Sequence, residues 1–99
     1  MILYNQLLAV VQNQPDYVSG TPPPSEVWHH YSNYAQNLDL VKAQALYALI
    51  IHHYYLQSQI LEPLPYGIKK LSATGGVVLY CQNLPPGLQH LIRAFLDTY

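Results

Sequence analysis

The sequence contains little charge. Its 99 residues include four Lys or Arg and five Asp or Glu, so 9% are charged, against roughly a quarter in an ordinary globular domain. Four basic residues cannot form the broad positive surface typical of a nucleic-acid-binding protein. With 51% hydrophobic residues, the chain is also too apolar for a disordered tail.

Cysteine and long apolar runs are scarce as well. The single cysteine, Cys81, cannot form an internal disulfide framework or a cysteine-based zinc site. The longest apolar run, from Ala45 to Ile51, is far shorter than the roughly 20 residues of a membrane-spanning helix. The N-terminus lacks the basic segment of a secretory signal. These absences predict an intracellular protein, cytoplasmic or nuclear, without a membrane partner.

Amides and tyrosines take the place of charge. Nine Gln and five Asn outnumber the charged residues, and ten of the aromatic residues are Tyr. A net charge of −1 favours association between copies, and Tyr is enriched at protein interfaces. We therefore expect a protein partner or a homo-oligomer; the alternative is a compositional bias without consequence for partners.

The first predicted helix runs from Ile2 to about Gln12. Leu3, Leu7, Val10 and Val11 fall on one face of it, and the opposite, polar face carries Tyr4, Asn5, Gln6 and Gln12. The residues that follow, 13–24, contain four prolines and a glycine. This composition predicts a long loop of extended character inside a single domain that spans residues 1–99.

Two further helices are predicted after this loop. Ser25 is a suitable N-cap for a helix that ends near Gln36. The next helix, capped by Asn37 or Asp39, extends to about Gln59 and is apolar on nearly all sides. A helix with this pattern is normally central and buried, so its residues Leu46, Leu49 and Ile50 are predicted to form the core.

A β-hairpin and a last helix complete the predicted fold. The runs 68–72 and 77–81 flank a Gly pair that suits a hairpin turn. The helix that follows Asn83 carries Leu88, Leu91, Ile92 and Phe95 on its apolar face. The predicted polar, outer face of this helix carries Gln89, His90, Arg93 and Asp97. The predicted class is mainly α (α+β), with four helices and the hairpin between the third and the fourth.

The chain shows few signs of a catalytic or metal site. Histidines occur as the pairs His29-His30 and His52-His53 and as His90. Adjacent side chains on a helix point about 100° apart, so neither pair can chelate an ion by itself. Structural histidines are the expected interpretation, with a pH-sensitive interface as an alternative. We predict no enzyme activity, no metal, no cofactor and no small-molecule ligand.

The order of elements resembles the winged-helix arrangement in outline. That resemblance implies a nucleic-acid-binding domain in which a long helix enters the major groove and the hairpin contacts phosphates. The residues that would serve it are Lys42, Gln44, Lys69, Lys70 and Arg93. Because base reading needs several polar side chains on the inserted helix, nucleic acid is not the partner that this composition favours.

A non-enzymatic protein-interaction or assembly module, prone to self-association, is the function that the sequence favours. The second predicted helix offers Trp28 with Tyr31 and Tyr34 as aromatic anchors. The predicted hairpin offers Val78 and Tyr80 at an exposed edge. The alternative for Trp28 is ordinary core packing.

Overall fold

A computed structural model describes residues 2–59, 65–70, 76–80 and 83–98. It is predominantly helical. Five helices are present in this part of the chain: α1 (Ile2–Val11), α2 (Pro15–Ser19), α3 (Ser25–Gln36), α4 (Leu40–Ser58) and α5 (Pro86–Thr98). The prediction of four helices was wrong by one, because α2 lies inside the stretch predicted as a loop.

Helix α2 forms from local signals. Pro15 occupies its first turn, where a missing backbone N–H costs nothing. Gly20 ends it in the left-handed region with φ of 76°, and its backbone N–H bonds to the Tyr17 carbonyl. Residues 13–14 and 20–24 of the predicted loop remain outside helix and strand.

A polar side chain caps α4 but not α3. Asp39, one of the two predicted candidates, caps α4 by accepting a hydrogen bond from the Lys42 backbone N–H at 2.9 Å. Helix α3 already includes Ser25, and the N-cap position is Pro24, so the predicted cap was wrong by one residue.

The β structure is a short antiparallel pair, β1 (Lys69–Lys70) and β2 (Val77–Val78), in which Lys69 faces Val78 and Lys70 faces Val77. The predicted hairpin with five-residue strands is not confirmed. Most of its turn, Ala73 to Gly76, lies outside the described residues, which omit 71–75. Cys81 also lies outside the described residues. The winged-helix outline is not confirmed either. The strand pair that would form the wing has only two residues in each strand, and it follows the fourth helix instead of the third.

Helix α5, rather than α4, occupies the centre of the fold. It packs against each of the other four helices. Its predicted polar face is partly interior, because Gln89 and His90 are buried. Gln89 donates a hydrogen bond to the Leu84 carbonyl, which satisfies its amide locally.

The predicted core pairing of α4 with α5 is confirmed. Leu46, Leu49 and Ile50 of α4 are fully buried, as are the four predicted residues of the last helix, Leu88, Leu91, Ile92 and Phe95. Helix α1 presents Tyr4, Leu7 and Val11 to this core and leaves Val10 exposed. Nowhere in the described part of the chain is a helix long and apolar enough to cross a membrane.

Candidate interaction surface

The aromatic residues predicted as anchors on α3 are mostly interior. Trp28 is 3% exposed and Tyr31 is buried, both within the hydrophobic core, whereas Tyr34 is exposed. The Trp28 indole N–H has no acceptor among the described residues. Trp28 therefore has the alternative role, core packing, because α3 turns this face toward α5 and β2.

Val78 and Tyr80 are half-buried. Between them, the carbonyl of Leu79 accepts a hydrogen bond from the Ser32 hydroxyl of α3 at 3.2 Å. This contact holds the strand against the helix. The five predicted interaction residues thus do not share one exposed surface.

Tyr31 instead joins α3 to α5. Its hydroxyl donates a hydrogen bond to Asp97 Oδ1 at 2.7 Å, and the Arg93 guanidinium lies 5.7 Å from the centre of its ring. Burial, and then the hydrogen bond to Asp97, raise the pKa of the Tyr31 hydroxyl.

The residues of the nucleic-acid alternative lie on three separate elements. Lys42 and Gln44 are exposed near the start of α4, and Lys69 is exposed on β1. The side chain of Lys70 lies outside the described set, and Arg93 is half-buried against Tyr31. Helix α4, which would enter the DNA major groove, places Leu46, Leu49 and Ile50 in the core.

One long face of α4 is exposed and, apart from Gln44, mostly apolar. We call it the outer face of α4; its exposed residues are Leu40, Val41, Gln44, Ala48, Tyr55 and Leu56. The buried residues of the same helix, such as Leu46 and Ile50, face the opposite side. Lys42 is the single charged residue among the 19 of α4. Within the described part of the chain, α4 is therefore covered on the side of Leu46 and Ile50, and its outer face is exposed.

Histidines mark the contact between α1 and α4. The Tyr4 ring meets the His52 ring edge-on, with 4.8 Å between centroids. Buried His53 shares a hydrogen bond of 3.2 Å between its Nδ1 and the Tyr4 hydroxyl, while the Gln57 amide nitrogen lies 3.2 Å from its Nε2. Because an amide nitrogen only donates, Nε2 is the acceptor and His53 is neutral. Burial, and then the neighbouring His52, lower the pKa of His53.

We expect this arrangement to make the protein less stable in mild acid. The unfolded state binds a proton on His53 near its ordinary pKa of about 6.5, whereas the folded state binds it only at lower pH. The stability contributed by His53 is therefore complete above about pH 6.5 and falls as the pH drops through the lowered pKa. Urea unfolding at a series of pH values checks this, and His53→Gln should reduce the loss between neutral and acidic pH. An equal loss in the variant would contradict it.

The histidine pairs do not assemble into a metal centre in the described part of the chain. No group of three or more His, Cys, Asp or Glu side chains there could hold an ion. His29 and His30 are exposed on α3, whereas His52 and His53 lie against α1.

The sequence patterns did not predict the groove that lies between α1, α2 and α5. Its walls include Val10 and Asp16 on one side and His90, Arg93 and Asp97 of α5 on the other. Asp16 had been placed in a loop and Asp97 on the outer face of the last helix, so nothing suggested that they approach each other. The signal that could have found it is the pairing of Pro15 with Gly20, which marks α2 as a helix.

Comparisons with known proteins do not assign a family. No protein-family model matches the chain, no curated protein is significantly similar to it, and no solved structure resembles it significantly. The function must therefore be inferred from the residues and their arrangement.

Proposed function

We propose that this chain is a non-enzymatic protein-interaction or assembly module whose outer face of α4 packs against a second copy. The observation that carries the proposal is the exposed apolar surface of that helix. Val41 is 76% exposed, and helices with apolar residues on all sides are normally covered on all sides.

The spacing along α4 suits a helix-to-helix contact. Val41, Ala48 and Tyr55 are separated by seven residues each, which is the heptad interval that aligns one face of a helix with a partner helix. Ala48 lies midway between the other two. In an antiparallel pair with two-fold symmetry, the small side chain of Ala48 meets its own copy, and Val41 faces Tyr55 of the second copy.

Electrostatics favours the same arrangement. A net charge of −1 gives little repulsion between copies. The outer face of α4 itself carries no charged residue. Association therefore buries apolar surface without burying an ionised group, which is the costly step at many interfaces.

Two valines of nearly equal exposure provide a residue-level test. Val41 on α4 is 76% exposed, and Val18 on α2 is 72% exposed. A soluble paramagnetic probe broadens the NMR signals of exposed methyl groups. As the protein concentration rises, we expect the broadening at Val41 to decrease because a second copy covers it, while that at Val18 stays constant. Equal behaviour of the two valines at all concentrations would refute the proposed contact.

A further inference from the structure

The groove between α1, α2 and α5 has the size and lining of a small-molecule site. Its volume is about 420 Å³, within the range of ligand pockets in proteins. Val10 supplies exposed apolar surface, with the nearly buried Val11 and Ala94 beside it, and Asp16, Arg93 and Asp97 supply charges of both signs. The outer face of α4 includes none of these residues.

Arg93 and Asp97 are held in place by Tyr31. They lie four residues apart on α5 and so face the same side of the helix. The Tyr31 hydroxyl donates its hydrogen bond to Asp97 Oδ1. The Arg93 guanidinium stacks over the Tyr31 ring, and its planar fork of donors suits a carboxylate.

His90 is a buried residue that lines the groove. It is 3% exposed, and its Nε2 lies 2.7 Å from the Thr21 carbonyl oxygen. Since a carbonyl only accepts, Nε2 carries a proton and donates it to Thr21. The Tyr17 ring packs edge-on against the imidazole and limits its rotation.

We propose that this groove binds a small zwitterionic amino acid with a short aliphatic side chain. Arg93 binds the ligand carboxylate, Asp97 and Asp16 bind the ammonium group, and Val10, Val11 and Ala94 contact the side chain. Both ligand charges then meet an opposite charge on the protein. A phosphate or a dicarboxylate fits worse, because two carboxylates of the groove would repel it.

Titration with L-valine and its two half-charged analogues tests the ligand class. Isobutylamine lacks the carboxylate of valine, and 3-methylbutanoate lacks its ammonium group. Amide NMR signals of Val11, Asp16 and Ala94 report on the groove in the 99-residue chain. We expect valine to shift these signals with an affinity at least about tenfold above that of either analogue, since each loses one charge-assisted contact. No shift with valine at about 10 mM, or equal affinity for isobutylamine, would overturn the proposal.

Charge-neutralising variants test the assigned residues. Arg93→Gln should weaken valine binding about tenfold and leave isobutylamine binding unchanged, whereas Asp16→Asn should weaken both. Lys42→Gln and Glu26→Gln remove one charge of each sign elsewhere and should have no effect. Since Arg93 also packs on Tyr31, the exposed Asp16 variant provides the test that does not depend on α5. Unchanged valine binding in Asp16→Asn would refute the assignment.

Discussion

Replacing Gly76 by alanine should destabilise the protein by about 3 kcal/mol, a large fraction of the stability of a small domain. Gly76 precedes β2 and lies against the last turn of α3. A Cβ atom at this position would overlap the backbone carbonyl of Gln36 and would lie 2.8 Å from the carbonyl oxygen of Ala35. These are backbone atoms, so no side-chain rotation relieves the overlap, and β2 must move away from α3.

The same substitution at Gly87 is the matched control. Gly87 lies in the first turn of α5, and a Cβ there meets only the Tyr17 ring at 3.5 Å, an ordinary contact distance. Because alanine favours helix formation, Gly87→Ala should be neutral or stabilising by up to about 1 kcal/mol. Urea unfolding followed by circular dichroism measures both free energies. A Gly76→Ala protein within about 0.5 kcal/mol of the wild type would show that α3 and β2 are not in this close contact.

Ala48→Glu should weaken self-association by at least about a hundredfold. The substitution places two carboxylates against each other at the centre of the α4 contact, where they are desolvated and repel each other. The monomer should keep its stability, because Ala48 is exposed and glutamate is a good helix former.

Sedimentation equilibrium measures the self-association of Ala48→Glu and Asn33→Glu. The comparison separates the effect of a charge on the outer face of α4 from the effect of the added net charge. Asn33 is exposed on α3, so the second variant gains the same charge away from the outer face of α4. We expect Asn33→Glu to associate as the wild type does. Equal weakening in both variants would mean that net charge, rather than this face, controls association.

Local patterns predicted most of the helices. The apolar stripe of α5 and the proline and cap signals around α3 and α4 depend on neighbouring residues, which the sequence displays directly. The hydrophobic stripe of α1 was less reliable: Tyr4 is buried although it was placed on the polar side, and Val10 is exposed. A Tyr can occupy the core when a buried partner such as His53 satisfies its hydroxyl.

Hydrophobicity alone did not predict that α5, rather than α4, is the central helix of the fold. Helix α4 is the more apolar of the two in sequence, yet α5 is central because α1, α2 and α3 all reach it. The polar residues of α5 tolerate this position since Gln89 and His90 find backbone carbonyls of Leu84 and Thr21. Such tertiary hydrogen bonds leave no periodic signal in a sequence.

The candidate sites depended on tertiary structure in the same way. Trp28 and Tyr31 have the composition of an interface anchor, but the orientation of α3 places them in the core. The groove is formed in part by α2, which lies in a proline-rich stretch that was predicted as a loop. It also brings Asp16 to the same groove as Asp97, about 80 positions away in the sequence. The expectation of a covered surface stays a prediction, and α4 is the element to which we now assign it.

Light scattering of the wild-type protein behind a sizing column tests the central claim most directly. From about 10 µM to about 1 mM, the mass should rise from the 11.3 kDa of the monomer toward twice that value. Elution as a monomer of constant mass across the whole range would contradict the proposal that a second copy covers the outer face of α4.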